Sequence, residues 1–292
     1  MWFSPAKLNL GLRIVGRRSN GYHELESLFW PIRFGDDLIF ESSVSSEVSC
    51  DWADDAPFKE TSLFQNERNL VGKLLLGELG WAPKQNLKVQ IKKRIPIGSG
   101  LGGVSSNAGT VLKYLTETKQ LTLHESEMFA KQLGADVPFF LNPVPSWVTG
   151  IGEIRTPICF RPEIKSQLCF LLVLFPFPTS TPSLFQKYRD LSLPFSPPLK
   201  LDLTETWNFG SMVQFLKSTQ NDLESLVASH SDPIHKALKS LRSSSPLYAG
   251  LSGTGSTCFA VFSSEKERAD AAKELQAFCR DLNCRCVFAE TY

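Results

Sequence analysis

Apolar residues recur at every second position near the start of the chain. Ala6, Leu8, Leu10 and Leu12 alternate with Lys7, Asn9, Gly11 and Arg13, the period of a half-buried strand with Lys7 and Asn9 sharing its polar face. Leu87, Val89 and Ile91 alternate in the same way with Lys88, Gln90 and Lys92, and this strand runs out at Ile95-Pro96, before a cluster of glycines. From Ser105 onward the residues favour a helix, with Val111, Leu112 and Leu115 along one side. Thr122 followed three residues later by Glu125 predicts a capping box and a second helix, which Gly134 ends. Asp136 then lies just past a helix end, against the apolar Val137-Pro138-Phe139-Phe140.

Beyond Glu153 the texture changes. The apolar run Cys169 to Leu174 predicts a buried strand, and Pro176, Pro178, Pro182, Pro194, Pro197 and Pro198 predict a long loop after it. This change places a domain boundary near Ile158 and divides the chain into residues 1–158 and 159–292. The last stretch reads as helix (Asn221 to Ala228), glycine turn (Gly250 to Gly255), strand (Thr257 to Phe262), helix (Glu265 to Cys279) and strand (Arg285 to Ala289). That order is an α+β sandwich.

Composition narrows the function classes. Hydrophobic residues at 42% and charged residues at 21% predict a folded chain, and its 292 residues favour two domains. A net charge of +1 without like-charged blocks argues against nucleic acid as a partner, so any anionic ligand has to be held locally. Leu168 to Leu174 is too short to span a bilayer, and Met1-Trp2-Phe3-Ser4-Pro5 lacks the basic and apolar regions of a leader. Seven cysteines without the paired spacings of a zinc site point to reduced thiols in a cytoplasmic setting. Cys279, Cys284 and Cys286 fall at a helix end and a strand start, where cysteines pack as small hydrophobes.

Pro96-Ile97-Gly98-Ser99-Gly100-Leu101-Gly102-Gly103-Val104-Ser105-Ser106-Asn107 joins the second strand to the first helix. Four glycines within six residues exceed the needs of one turn. They permit left-handed backbone and let N–H groups converge, and the following helix N-terminus adds further donors, so the segment reads as a phosphate cradle. Gly98-x-Gly100-x-x-Gly103 also matches a dinucleotide-binding pattern, but a second helix follows the first where that fold needs a strand and an acidic residue. The Gly-Lys-Ser/Thr of a Walker loop and the His-Arg-Asp and Asp-Phe-Gly of protein kinases are absent.

The glycine segment resembles the central motif of the GHMP superfamily of galacto-, homoserine, mevalonate and phosphomevalonate kinases. Ser4-Pro5-Ala6-Lys7-Leu8-Asn9-Leu10, Gly21-Tyr22-His23-Glu24-Leu25 and Gly134-Ala135-Asp136-Val137-Pro138-Phe139 are similar to a branch whose substrate is a methylerythritol carrying cytidine diphosphate. Leu251-Ser252-Gly253-Thr254-Gly255-Ser256 looks like the third superfamily motif, and Asn221-Asp222-Leu223-Glu224 recurs in the same branch. Val104 stands where a third consecutive glycine is common and Gly109 replaces an alanine, departures that remove no proposed donor or acid.

The resemblance implies a two-lobed α+β GHMP kinase fold, with an N-terminal lobe like domain 2 of ribosomal protein S5, a ferredoxin-like C-terminal lobe and the active site between them. It implies ATP and Mg²⁺, with metal ligands unspecified, and leaves the oligomeric state open. Asn69, Lys93 and Pro96 through Ser106 would bind ATP. Asp136 would orient or deprotonate the acceptor hydroxyl, and Lys7, by default a surface lysine, would be its charge partner. Tyr22 would stack on a cytosine whose edge His23 bonds, Phe185 would cover the other face, and Asn9 and Thr181 would complete the substrate contacts. His124, His230 and His235 have no partners at ligand spacing and carry no assigned chemistry.

Overall fold

A computed structural model describes residues 1–59 and 70–292. In chain order its elements are β1 (Trp2–Arg17), β2 (His23–Ser42), β3 (Glu47–Trp52), α1 (Leu70–Leu75), β4 (Leu87–Lys93), α2 (Gly103–Glu117), α3 (Leu123–Leu133), α4 (Val137–Leu141), β5 (Ser146–Thr149) and β6 (Ile154–Pro157). There follow α5 (Ile164–Gln167), β7 (Cys169–Leu174), α6 (Thr181–Asp190), α7 (Phe209–Ser218), α8 (Glu224–His230), α9 (Asp232–Ser243), β8 (Tyr248–Leu251), β9 (Cys258–Phe262), α10 (Glu265–Asp281) and β10 (Arg285–Ala289). They group into two compact units. The first comprises Met1–Ala6, Phe34–Ile97 and Gly102–Pro143, and the second Lys7–Arg33, Gly98–Leu101 and Val144–Tyr292. Among the described residues no helix is long and apolar enough to cross a membrane.

In the first unit β4 runs antiparallel to the end of β2 and parallel to β3. Leu87, Val89 and Ile91 are buried on one face of β4, as their alternation predicts, and pack with Val111, Leu112 and Leu115 of α2 and Phe129, Ala130 and Leu133 of α3 in one core. The Thr122 capping box forms as predicted, and Gly134 closes α3 in extended rather than left-handed backbone. Asp136 does not merely trail that helix: it is the N-cap residue of α4, a short helix with proline in its first turn.

The second unit holds a four-stranded antiparallel sheet in the order β10-β7-β9-β8. Counted from β7, the spatial order is 4-1-3-2, that of the ferredoxin-like split βαβ arrangement. All six β7 residues are buried, and Leu171, Val173, Ala260 and Phe262 share a core with Leu238 and Leu241 of α9 and Leu275 of α10. Two expectations need correction. The proline-rich stretch carries helix α6, because Ser180 caps it by accepting from the Ser183 N–H and Pro182 occupies the first turn, where a missing N–H costs nothing. Strand β1 is not half exposed: Lys7, Asn9 and Arg13 are buried along with Leu8 and Leu10, because their polar atoms find partners within the second unit, Lys7 on Asn9, Asn9 on Ser27 and Arg13 on the Pro197 carbonyl.

Candidate active site

Strand β1 and the two glycine segments form a polar network inside the second unit. Lys7 is 4% exposed; its ammonium donates to Asn9 Oδ1 and lies 4.5 Å from the Phe29 ring centroid. Asn9 Nδ2 donates to Ser27 Oγ at 2.9 Å, and the Asn9 backbone N–H donates to Ser252 Oγ at 3.2 Å. Ser252 Oγ in turn donates to the Gly100 carbonyl at 3.0 Å. Asn221 anchors the same turn: its Nδ2 donates to the Leu251 and Gly253 carbonyls at 2.8 and 2.7 Å, and its Oδ1 accepts from the Leu223 N–H at 2.9 Å. Ser252 and Asn221 were legible as motif members only, with no side-chain role readable from either.

Gly98, Gly100 and Gly102 have φ of 63°, 79° and 73°, the left-handed region predicted from their density. At Gly100 the requirement is also steric, because a Cβ there would stand 2.1 Å from the Ser252 carbonyl oxygen. Ser99 is buried, and its hydroxyl and that of Thr257 have no hydrogen-bond partner among the described residues. Two unpaired buried hydroxyls beside left-handed glycines suit a ligand rich in acceptor oxygens. Leu101 is a core residue and Pro96 is buried, so these two shape the loop from within.

In the first unit the loop continues into α2, capped by left-handed Gly102 without any side-chain bond to the first-turn N–H groups. Those orphan donors and the helix dipole make an anion-binding terminus. Gly103 packs against Ile95, and Val104 and Ser105 are half-buried. Ser106 is enclosed: its hydroxyl donates to the Pro5 carbonyl at 2.6 Å and contacts Ser4 Oγ at 2.8 Å, tying β1 to α2. Lys93 is likewise enclosed, its ammonium 2.8 Å from Asp36 Oδ2, while Asp36 Oδ1 accepts from the N–H groups of Arg94 and Ile95. The pair therefore fixes the backbone that leads into the glycine loop. Asp136 is half-buried at the start of α4, and Ile97 is half-buried ahead of Gly98. Asn69 lies outside the described residues.

A cleft of about 450 Å³ in the second unit collects the residues expected at a nucleoside base. The turn between β1 and β2, closed by Arg18 N–H to the Tyr22 carbonyl at 2.7 Å with Gly21 at φ 91°, leaves Tyr22 60% exposed at its rim. His23 is buried and stacks on Phe185, with centroids 5.2 Å apart and planes 24° apart, and meets Tyr188 edge-on. Burial, followed by the charges of Arg17 and Arg189, pushes the His23 pKa below its ordinary value, so the ring is neutral at pH 7 and offers one donor and one acceptor. Phe185 reaches the cleft from α6 rather than from a loop, as does Thr181, whose hydroxyl lies 2.8 Å from that of Thr254.

Family models and known proteins match the chain along most of its length. The GHMP kinases N terminal domain matches residues 69–142, and the GHMP kinases C terminal domain matches residues 207–281. The chain is 31% identical to a 4-diphosphocytidyl-2-C-methyl-D-erythritol kinase of Desulfotalea psychrophila over 97% of its own length and 90% of the relative's. It is 36% identical to the protein of that name in Methylacidiphilum infernorum, over 94% and 91%. Among solved structures, a 4-(cytidine 5'-diphospho)-2C-methyl-D-erythritol kinase superposes with a TM-score of 0.75 at 26% identity, covering 100% of this chain and 99% of that one. A mevalonate kinase of L. major shares the fold, with a TM-score of 0.67 at 17% identity and coverage of 100% and 96%.

Proposed function

The chain belongs to the GHMP kinases, within the 4-diphosphocytidyl-2-C-methyl-D-erythritol kinase family, and from that membership we propose that it transfers the γ-phosphoryl group of ATP to the 2-hydroxyl of 4-diphosphocytidyl-2-C-methyl-D-erythritol. This reaction belongs to non-mevalonate isoprenoid precursor biosynthesis, in a cytoplasmic setting with which the seven free cysteines agree. The observation that carries the substrate reading is the aromatic cleft of Tyr22, His23 and Phe185, because a mevalonate, homoserine or sugar substrate has no base to stack.

Each residue then has a physical task. The backbone from Gly98 to Gly103 and the N–H groups opening α2 hold the triphosphate, with the hydroxyls of Ser99 and Ser105 as added donors. Lys93 acts through Asp36 on the loop's approach and is a positioning residue. Asp136 orients the acceptor hydroxyl and takes its proton, and the Lys7 ammonium offsets negative charge on the substrate. Asn9 holds Lys7 in place. Neutral His23 bonds the cytosine edge while Tyr22 and Phe185 take its faces, and Thr181 contacts the substrate beyond the base. Among the described residues no group of three or more His, Cys, Asp or Glu side chains is arranged to hold a metal. Mg²⁺ bound through the nucleotide phosphate oxygens would spread their charge.

Phe185→Ala and Tyr22→Ala test the substrate reading. Loss of one stacking face is worth about 1–3 kcal/mol, so KM for the cytidylyl substrate should rise about 5- to 150-fold while KM for ATP holds. An unchanged KM in both folded variants would place the substrate elsewhere.

A further inference from the structure

The end of α10 and the start of β10 bring three cysteines together, none of them assigned to phosphoryl transfer. Cys279 Sγ and Cys286 Sγ are 3.2 Å apart, and Cys284 is fully buried behind them. The cleft beside them, about 370 Å³, is lined by all three thiols together with Arg280 and Arg285. Cysteines that serve only as small core hydrophobes face apolar neighbours. Cys279 and Cys284 belong to the apolar core of the second unit and Cys286 packs against it, yet this edge of the core also borders a cleft that carries Arg280 and Arg285.

We propose that Cys279 and Cys286 form a peroxide-reactive dithiol, in which Cys279 is the attacking sulfur and Cys286 the resolving one. The Cys279 thiolate attacks one peroxide oxygen and breaks the O–O bond, giving Cys279 sulfenic acid and hydroxide, which takes a proton to become water. Cys286 sulfur then attacks the sulfenic sulfur; the S–O bond breaks and the hydroxyl leaves as water with the Cys286 thiol proton. Two thiols lose two electrons in all, and one hydrogen peroxide becomes two waters. The product joins the end of α10 to β10.

The surroundings decide which sulfur attacks. Hydrogen bonds from the Cys284 and Cys286 thiols, with the Arg285 charge, hold the Cys279 thiol well below the ordinary range against an opposing effect of burial. Cys284 and Cys286 are pushed up, since each donates to Cys279 and is itself buried. A helix C-terminus disfavours an anion, so the position of Cys279 near the end of α10 works against it, and the Arg285 charge opposes that effect. Across the sheet, β7 places apolar Leu174 and Val173 opposite Arg285 and Cys286 and adds no charge there.

The test uses the purified full chain, with exposed Cys159 as an internal control. Iodoacetamide alkylation of Cys279, mapped by mass spectrometry, should change less than about threefold between pH 5.5 and 7.5, while free N-acetylcysteine added to the same reaction should rise about a hundredfold. Hydrogen peroxide should remove two hydrogens from the segment containing Cys279 and Cys286, and dithiothreitol should restore them. Cys286→Ser should stop at a sulfenic acid on Cys279, trapped by dimedone, with kinase turnover kept as the sign of folding. If that variant fails to fold, the parent's mapping decides alone. A Cys279 rate that climbs with pH as that of N-acetylcysteine does, peroxide oxidation that begins at Cys159, or no Cys279–Cys286 disulfide would each overturn the proposal.

Discussion

Gly100→Ala, compared with Gly80→Ala, separates backbone strain from close approach. Both glycines are left-handed, at φ 79° and 72°. A Cβ on Gly80 meets nothing within 4 Å, whereas one on Gly100 stands 2.1 Å from the Ser252 carbonyl oxygen and 3.0 Å from that of Gly255. An alanine in left-handed backbone costs about 1–2 kcal/mol, and that is all Gly80→Ala should lose. At Gly100 the obstacle is backbone, so the loop has to move by about 1 Å to reach ordinary contact distance. That movement breaks the Ser252 hydroxyl bond to the Gly100 carbonyl, a further loss of about 1 kcal/mol, and displaces the N–H groups proposed to bind phosphate. With about 2 °C per kcal/mol for a chain of this size, Gly80→Ala should melt about 2–4 °C below the parent and keep its ATP affinity. Gly100→Ala should melt lower still and lose at least about tenfold in ATP affinity by calorimetry. Equal melts for the two variants, with parental ATP binding in Gly100→Ala, would refute the reasoning.

Asp136→Asn keeps shape and removes the charge; kcat should fall about 10²- to 10⁴-fold with ATP binding retained, and stopped-flow or steady-state assays on variants with parental melts check it. Asn221→Leu leaves the Leu251 and Gly253 carbonyls and the Leu223 N–H short of a partner in a buried site, so thermal stability should drop by several kcal/mol, read as a lower denaturant midpoint. His23 has a folded pKa below its ordinary 6.5, so the unfolded chain binds more protons as pH falls through about 6.5, and stability should decline from there until the folded group protonates too. His23→Phe should flatten that part of the Tm profile between pH 6.5 and 5, and an unchanged slope would contradict the assignment.

Much of the fold was legible because local signals and tertiary packing agreed. The alternation of Leu87, Val89 and Ile91, the Thr122 capping box and the bounds of β10 need only neighbours in sequence. The burial of Lys7 and Asn9 was not legible, since alternation reports which face is apolar and not whether a second layer covers the polar one. Helix α6 is masked by the prolines around it, which mark loops, although Ser180 followed by Pro182 is a helix-start pattern. Motif chemistry marks the glycine loop and Asp136 as candidates. The tasks of Ser252, Asn221 and Asp36 depend on side chains meeting backbone from distant segments, which no spacing encodes.

Phosphorylation of 4-diphosphocytidyl-2-C-methyl-D-erythritol by the purified chain, with ATP and Mg²⁺ and with mevalonate, homoserine and galactose alongside, tests the central claim most directly. The account predicts ADP release dependent on the cytidylyl substrate, a new phosphomonoester on its 2-hydroxyl by ³¹P NMR, and kcat/KM at least about a hundredfold above the other three acceptors. Turnover of any of those three at comparable efficiency, or no phosphoryl transfer to the cytidylyl substrate, would contradict it.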